Sequence, residues 1–135
     1  MKPLEFTVRW DEVDLNGHLR HTGYGAMCAE ARVRAFAEAG MGITRDSIAE
    51  AAPVLLREEL SYRREVMLGE TVSVTTEISP ETTAEGKRWV VVHQVLKADG
   101  ELACEVKVMG TWINLETRKS VPAPQSVLKA WGLDD

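Results

Sequence analysis

Trp10-Asp11-Glu12-Val13-Asp14-Leu15-Asn16-Gly17-His18-Leu19-Arg20-His21-Thr22-Gly23-Tyr24 is the stretch on which the fold turns. Upstream, Leu4, Phe6, Val8 and Trp10 alternate with Glu5, Thr7, Arg9 and Asp11, the period-two pattern of a strand with one apolar face. Asn16-Gly17 marks a turn, and Thr22 reads as the N-cap of a helix over 23–39. Tyr24, Met27, Cys28, Ala31 and Ala35 recur on one face of that helix, and Phe36 widens the stripe. Glu30, Arg32, Arg34 and Glu38 lie largely off it, and Gly40 and Gly42 end it. A strand end, a turn and a helix N-terminus thus meet in a loop carrying Asp14, His18 and His21. A carboxylate, imidazoles and free backbone N–H groups in one place are what acyl-transfer chemistry needs.

Working downstream, 44–52 reads as a short helix stopped by Pro53, and the chain beyond Pro53 reads as strands over 54–64, 70–79, 88–98 and 101–115. Asp99-Gly100 is a tight-hairpin signal between the last two. Trp89-Val90-Val91-Val92 is apolar on successive residues, as in a strand covered on both faces. Pro122 and Pro124 lead into a C-terminal helix over 125–131. One-faced strands must bury that face, and the long helix is the only sizeable partner. The expectation is an α+β chain, a curved five-stranded antiparallel sheet wrapped around one long helix, as a single domain over 1–135. Val90, Val92 and Met109 on the outer face suggest that a second subunit covers part of it.

The composition narrows the function. A net charge of -5 argues against nucleic acid, because phosphate binding needs a basic surface. Arg63-Arg64 and Lys87-Arg88 are small basic groups that could still meet a phosphorylated ligand. No run is apolar enough to span a bilayer and no signal-peptide pattern opens the chain, so a cytoplasmic protein without a membrane partner is expected. Cys28 and Cys104 lie in apolar surroundings and read as buried core residues. His93, on a strand, reads as a satisfied sheet residue. Asp14, His18 and His21 lack the fixed spacing of a metal site, and no metal is expected. Glu58 shares strand parity with Leu56, Leu60 and Tyr62; an inward carboxylate there would mark a pocket or an interface, and an outward one a bulge or register shift.

In order and spacing the chain resembles the hotdog-fold acyl-CoA thioesterases of the 4-hydroxybenzoyl-CoA thioesterase-like family. Trp10, Asp14, Gly17 and Tyr24 hold the places of that family's first motif, with Ala31-Arg32 next in the helix. Tyr62-Arg63-Arg64-Glu65-Val66-Met67-Leu68-Gly69-Glu70 matches its second, a strand ending in Tyr and then Gly-Asp, with Glu65 where Pro is common. Gly17-His18 matches one subgroup, while Arg20-His21 stands where that subgroup has two Asn.

The resemblance implies a hotdog fold and hydrolysis of an acyl-CoA or acyl-carrier-protein thioester. Asp14 takes the place of the catalytic carboxylate, as nucleophile or as general base, and His21 that of a loop histidine used by one subgroup. Backbone N–H groups of residues 21–24 would polarise the carbonyl. His18, Tyr24 and Glu58 are the candidate substrate-binding residues. No cofactor is implied beyond coenzyme A as part of the substrate. A homodimer or homotetramer is expected, with edge-to-edge sheet pairing that places the site at the subunit interface. Two other readings stand beside this one. An enoyl-thioester hydratase or dehydratase would carry Asp-x-Asn-Pro-x-His, whereas Asp14-Leu15-Asn16-Gly17-His18 is one residue shorter and lacks the Pro. A non-catalytic module would bind an acyl thioester without turnover.

Overall fold

The computed structural model describes residues 2–42, 44–83 and 85–133. Its elements are β1 (Leu4–Thr7), a 3-10 turn (Trp10–Glu12), α1 (His21–Glu38), β2 (Ala52–Tyr62), β3 (Thr71–Val74), β4 (Glu77–Ile78), β5 (Arg88–Leu96), β6 (Leu102–Ile113) and α2 (Gln125–Ala130). The sheet runs β1-β3-β5-β6-β2, with β4 paired to β5. One long helix and this antiparallel sheet make the α+β hotdog fold that the resemblance implies. No described helix is long and apolar enough to cross a membrane.

Contacts divide the chain into two units. The first comprises the chain through Arg32, Glu59–Glu77 and Val92–Lys107. There β1 pairs antiparallel with β3, Leu4 facing Val74 and Phe6 facing Val72. The buried face of α1 consists of Gly23, Tyr24, Met27, Cys28, Ala31 and Arg32; it keeps the expected Tyr24, Met27, Cys28 and Ala31, adds Gly23 and Arg32, and leaves Ala35 and Phe36 half-buried. Arg32 belongs to the interior because its Nη1 donates to Nε2 of the fully buried His93, 3.0 Å away. The second unit comprises Val33–Glu58, Ile78–Val91 and the chain from Val108 on. Its centre is aromatic, with the Phe36 ring edge-on to Trp89 (6.0 Å) and to Trp112 (5.5 Å). Trp89, Val90 and Val91 are all buried, so Val90 belongs to the core and not to an open outer face.

Three local expectations change. The first strand stops at Thr7, and Trp10 sits 81% exposed in the 3-10 turn, where the Arg9 N–H donates to the Glu12 carboxylate (2.8 Å). The expected strand over 70–79 breaks at Thr75-Thr76, giving six strands instead of five. The cause is side-chain competition: the Thr75 hydroxyl takes the Gln94 N–H (3.0 Å), and the Thr75 carbonyl is drawn to His93 Nδ1 (3.0 Å). Residues 44–51 form turns, not a helix. There the Thr44 hydroxyl donates to Ser47 Oγ (3.0 Å) and accepts the Ser47 N–H (3.3 Å), while the Ser47 hydroxyl donates to the Thr44 carbonyl (2.8 Å), so side chains satisfy the backbone over short range.

Candidate active site

Asp14 closes its own loop. Its Oδ1 accepts the N–H groups of Asn16 (2.9 Å) and His18 (3.1 Å). Its backbone N–H donates to the His18 carbonyl (2.8 Å), and its carbonyl accepts the Gly17 N–H (3.1 Å). Gly17 turns the chain at φ +77°, a conformation that suits glycine. Antiparallel bridges from Val13 to Leu19 and from His18 to Met67 anchor the loop. The loop-shaping work of an Asx residue therefore falls on Oδ1. Oδ2 has no hydrogen-bond partner among the described residues.

Helix α1 begins at His21, two residues before the expected start, so Thr22 lies in the first turn and is not the cap. Arg20 instead makes the junction, its N–H donating to the Glu12 carbonyl (2.9 Å) and its carbonyl accepting the Gly23 N–H (2.9 Å). The first N–H groups of a helix have no partner within it. Those of His21 and Thr22 have no backbone acceptor among the described residues, whereas that of Gly23 is already used. The free donors thus narrow to the very start of the helix, where the macrodipole is positive.

Asp14, His18, His21 and Tyr24 line one cavity of about 400 Å³ together with Leu19, Tyr62, Arg63, Arg64 and Glu65. Glu58 does not line it. It is an exposed residue of β2, and Leu56 and Tyr62 on the same parity are 60% and 50% exposed, so the inward face expected there is open. The chain leaves β2 where the Arg63 and Arg64 N–H groups both donate to the Ala103 carbonyl (2.8 and 3.1 Å). That places Tyr62 beside the helix start, its hydroxyl donating to the His21 carbonyl (3.3 Å). The rings of Tyr62 and Tyr24 meet edge to face at 5.5 Å, and the Tyr24 hydroxyl donates to the Arg64 carbonyl (3.3 Å). Burial, then the neighbouring Cys104 and Glu65, hold the Tyr24 phenol above its ordinary value, so it remains a donor at neutral pH. In the sequence, only the family's Tyr62 motif points to this second wall.

Two other candidates in this unit, the Cys104 thiol and the His93 imidazole, are silenced by burial. The Cys104 thiol is pushed up to about 11, mainly by burial, and is not the thiolate that nucleophilic attack requires. Burial, and then Arg32, press His93 down to about 4. Arg32 donates to Nε2, so the ring proton sits on Nδ1, facing the Thr75 carbonyl and the Thr76 hydroxyl (3.1 Å). Among the described residues no three His, Cys, Asp or Glu side chains are placed to hold a metal ion.

His93 carries a stability signature with a defined sign. Its neutral form is favoured in the fold, so the unfolded chain binds the proton first as the pH drops. Its contribution is complete above pH 6.5 and is lost as the pH falls from there to about 4. The loss reaches ~3 kcal/mol once His93 is protonated in the folded chain as well, below about pH 4. Urea unfolding between pH 7 and pH 4.5 should show this fall, and His93→Gln should flatten it; equal slopes in the two proteins would refute the assignment.

The thioesterase-like superfamily model matches residues 8–131, nearly the whole chain. The chain belongs to the thioesterase-like superfamily. Membership makes it a thioester hydrolase by class, and the loop, helix start and cavity lie within the matched span. Among solved structures it is similar to a Staphylococcus aureus protein in complex with CoA, with 26% identity and a TM-score of 0.86 over 98% of this chain and 82% of that one. It shares its fold with a 1,4-dihydroxy-2-naphthoyl-CoA thioesterase from Synechocystis (20% identity, TM-score 0.85, 97% of this chain and 95% of that one). A gentisyl-coenzyme A thioesterase shares it too (18% identity, TM-score 0.81, 96% of this chain and 99% of that one). No curated protein matches the chain.

Proposed function

We propose that this thioesterase-like chain hydrolyses acyl-coenzyme A thioesters at the cavity that contains Asp14. The observation that carries the reading is the division of labour in that carboxylate: Oδ1 is held by two amides while Oδ2 is free, in a cavity that the unsatisfied start of α1 also lines. The thioester carbonyl oxygen is received by the free N–H groups of His21 and Thr22, which stabilise the charge that develops on it. In one route Oδ2 takes a proton from water while the water oxygen attacks the carbonyl carbon, the C–S bond breaks, and the thiolate collects the proton. In the other, Oδ2 attacks directly and expels the thiolate, and water then opens the acyl anhydride. Both give a carboxylic acid and a free thiol. His21, exposed at the first position of α1, orients the thioester or protonates the thiolate. His18 and Tyr24 contact the substrate from the loop and helix walls. Support for coenzyme A comes from the Staphylococcus aureus relative bound to CoA.

The same reading includes a homodimer or larger assembly. β2 lies at one end of the strand order and exposes Leu55 and Leu56, while Trp10, Leu15, Met67 and Leu68 stand exposed around the loop. Exposed apolar groups of this size mark surfaces that another chain covers. Light scattering should return at least a dimer, and a monomer would refute the assembly.

The test is thiol release from a panel of short, long and aromatic acyl-coenzyme A thioesters. Turnover of any of them supports the reading. Hydration of crotonyl-coenzyme A in place of thiol release would move the chain to the hydratases. Coenzyme A stabilising the protein without turnover of any thioester would make it a binding module.

A further inference from the structure

Arg63 lines the cavity and is exposed, and no carboxylate among the described residues pairs with it. Its neighbour Arg64 is committed, its Nε paired with the Glu101 carboxylate. Lys97, nearby on the same unit, is likewise committed to Glu70 (3.5 Å) and to the Glu65 carbonyl (3.0 Å). The cavity also holds two carboxylates, Asp14 and Glu65, which repel any anion that enters without a cation of its own. Arg63 is therefore the guanidinium on the wall of this cavity that no described carboxylate engages. A planar guanidinium fork matches a carboxylate or phosphate oxygen pair.

Reach decides the source of that oxyanion. A cavity of about 400 Å³ accommodates an acyl group and its thioester, not a whole coenzyme A. With the thioester at Asp14, the nucleotide phosphates lie the full length of the pantetheine arm away, whereas the far end of a short acyl group lies within the same cavity. The Tyr24 and Tyr62 rings, set edge to face, add an aromatic wall alongside.

We propose that Arg63 is a specificity-determining residue that receives a carboxylate carried by the acyl group, so that the preferred substrates are short or aromatic acyl thioesters bearing their own carboxylate. This rests on the thioesterase reading above. Glutaryl-coenzyme A against pentanoyl-coenzyme A, and 4-carboxybenzoyl- against 4-methylbenzoyl-coenzyme A, pair each charged acyl group with a neutral one of similar size. Wild type should favour the carboxylated member of each pair. Arg63→Gln should lower that ratio of kcat/KM by about tenfold to a hundredfold, chiefly through KM, and Arg63→Lys should recover part of it. The same fall is expected with glutaryl-pantetheine, which lacks the nucleotide phosphates. A ratio unchanged by Arg63→Gln overturns the inference and leaves the thioesterase reading standing. A fall that disappears with glutaryl-pantetheine overturns it too, by assigning Arg63 to a coenzyme phosphate. Thiol release from none of these thioesters, nor from the wider panel, would instead count against the thioesterase reading itself.

Discussion

Gly110→Ala is expected to cost at least ~3 kcal/mol of stability, a large share of the marginal total of a small domain. Gly110 lies on β6, buried in the second unit. A Cβ built there falls inside the van der Waals shells of Trp89 ring atoms and of the Val54 carbonyl oxygen. Neither can move cheaply. Trp89 is fully packed, its Nε1 donates to the Thr111 carbonyl (3.0 Å), and its ring is edge-on to Phe36. Val54 O belongs to the backbone of β2. Overpacking therefore has to displace an aromatic cluster or a strand. The variant should unfold at much lower urea, with loss of the near-ultraviolet tryptophan signal. A midpoint within the error of wild type would show that Trp89 is not seated over Gly110 as described.

Much of the fold is legible in the sequence because it rests on local chemistry. The apolar stripe of α1, the Asn16-Gly17 turn, the apolar run of β5 and the Asp99-Gly100 hairpin signal between β5 and β6 are each set by local sequence, and the structure places those elements within a few residues of where the pattern does. Boundaries move where side chains compete with the backbone, as at Thr75 and Thr44. Half of the cavity is legible too, since Asp14, His18, His21 and Tyr24 share one strand–loop–helix junction. The other half is not. Tyr62 reaches the His21 carbonyl across 41 residues of chain, and nothing in a spacing pattern encodes that meeting. The pairing of Arg32 with His93 spans 61 residues and turns a charged residue off the apolar stripe into an interior one. The inward reading of Glu58 rests on strand parity, which assumes that one face of the strand is covered; β2 ends the strand order and leaves both parities largely open.

Asp14→Asn isolates the central claim because it separates the two jobs of one side chain. The amide oxygen of Asn can still accept the Asn16 and His18 N–H groups, so the loop and the helix start should keep their geometry. What the substitution removes is the free carboxylate oxygen, which in the proposed mechanism either attacks the thioester or takes the proton from water. Loss of a positioned base or nucleophile of this kind lowers kcat by ~10²–10⁴-fold. KM should change little, since Oδ2 is placed to react and not to bind. The measurement is thiol release from the best substrate of the acyl-coenzyme A panel, by wild type and Asp14→Asn side by side, with circular dichroism and thermal unfolding of both. A folded variant of wild-type-like stability that has lost turnover by at least a hundredfold is the predicted result. A folded variant that releases thiol at the wild-type rate would contradict the account, because the Asp14 carboxylate would then shape the loop and do nothing more.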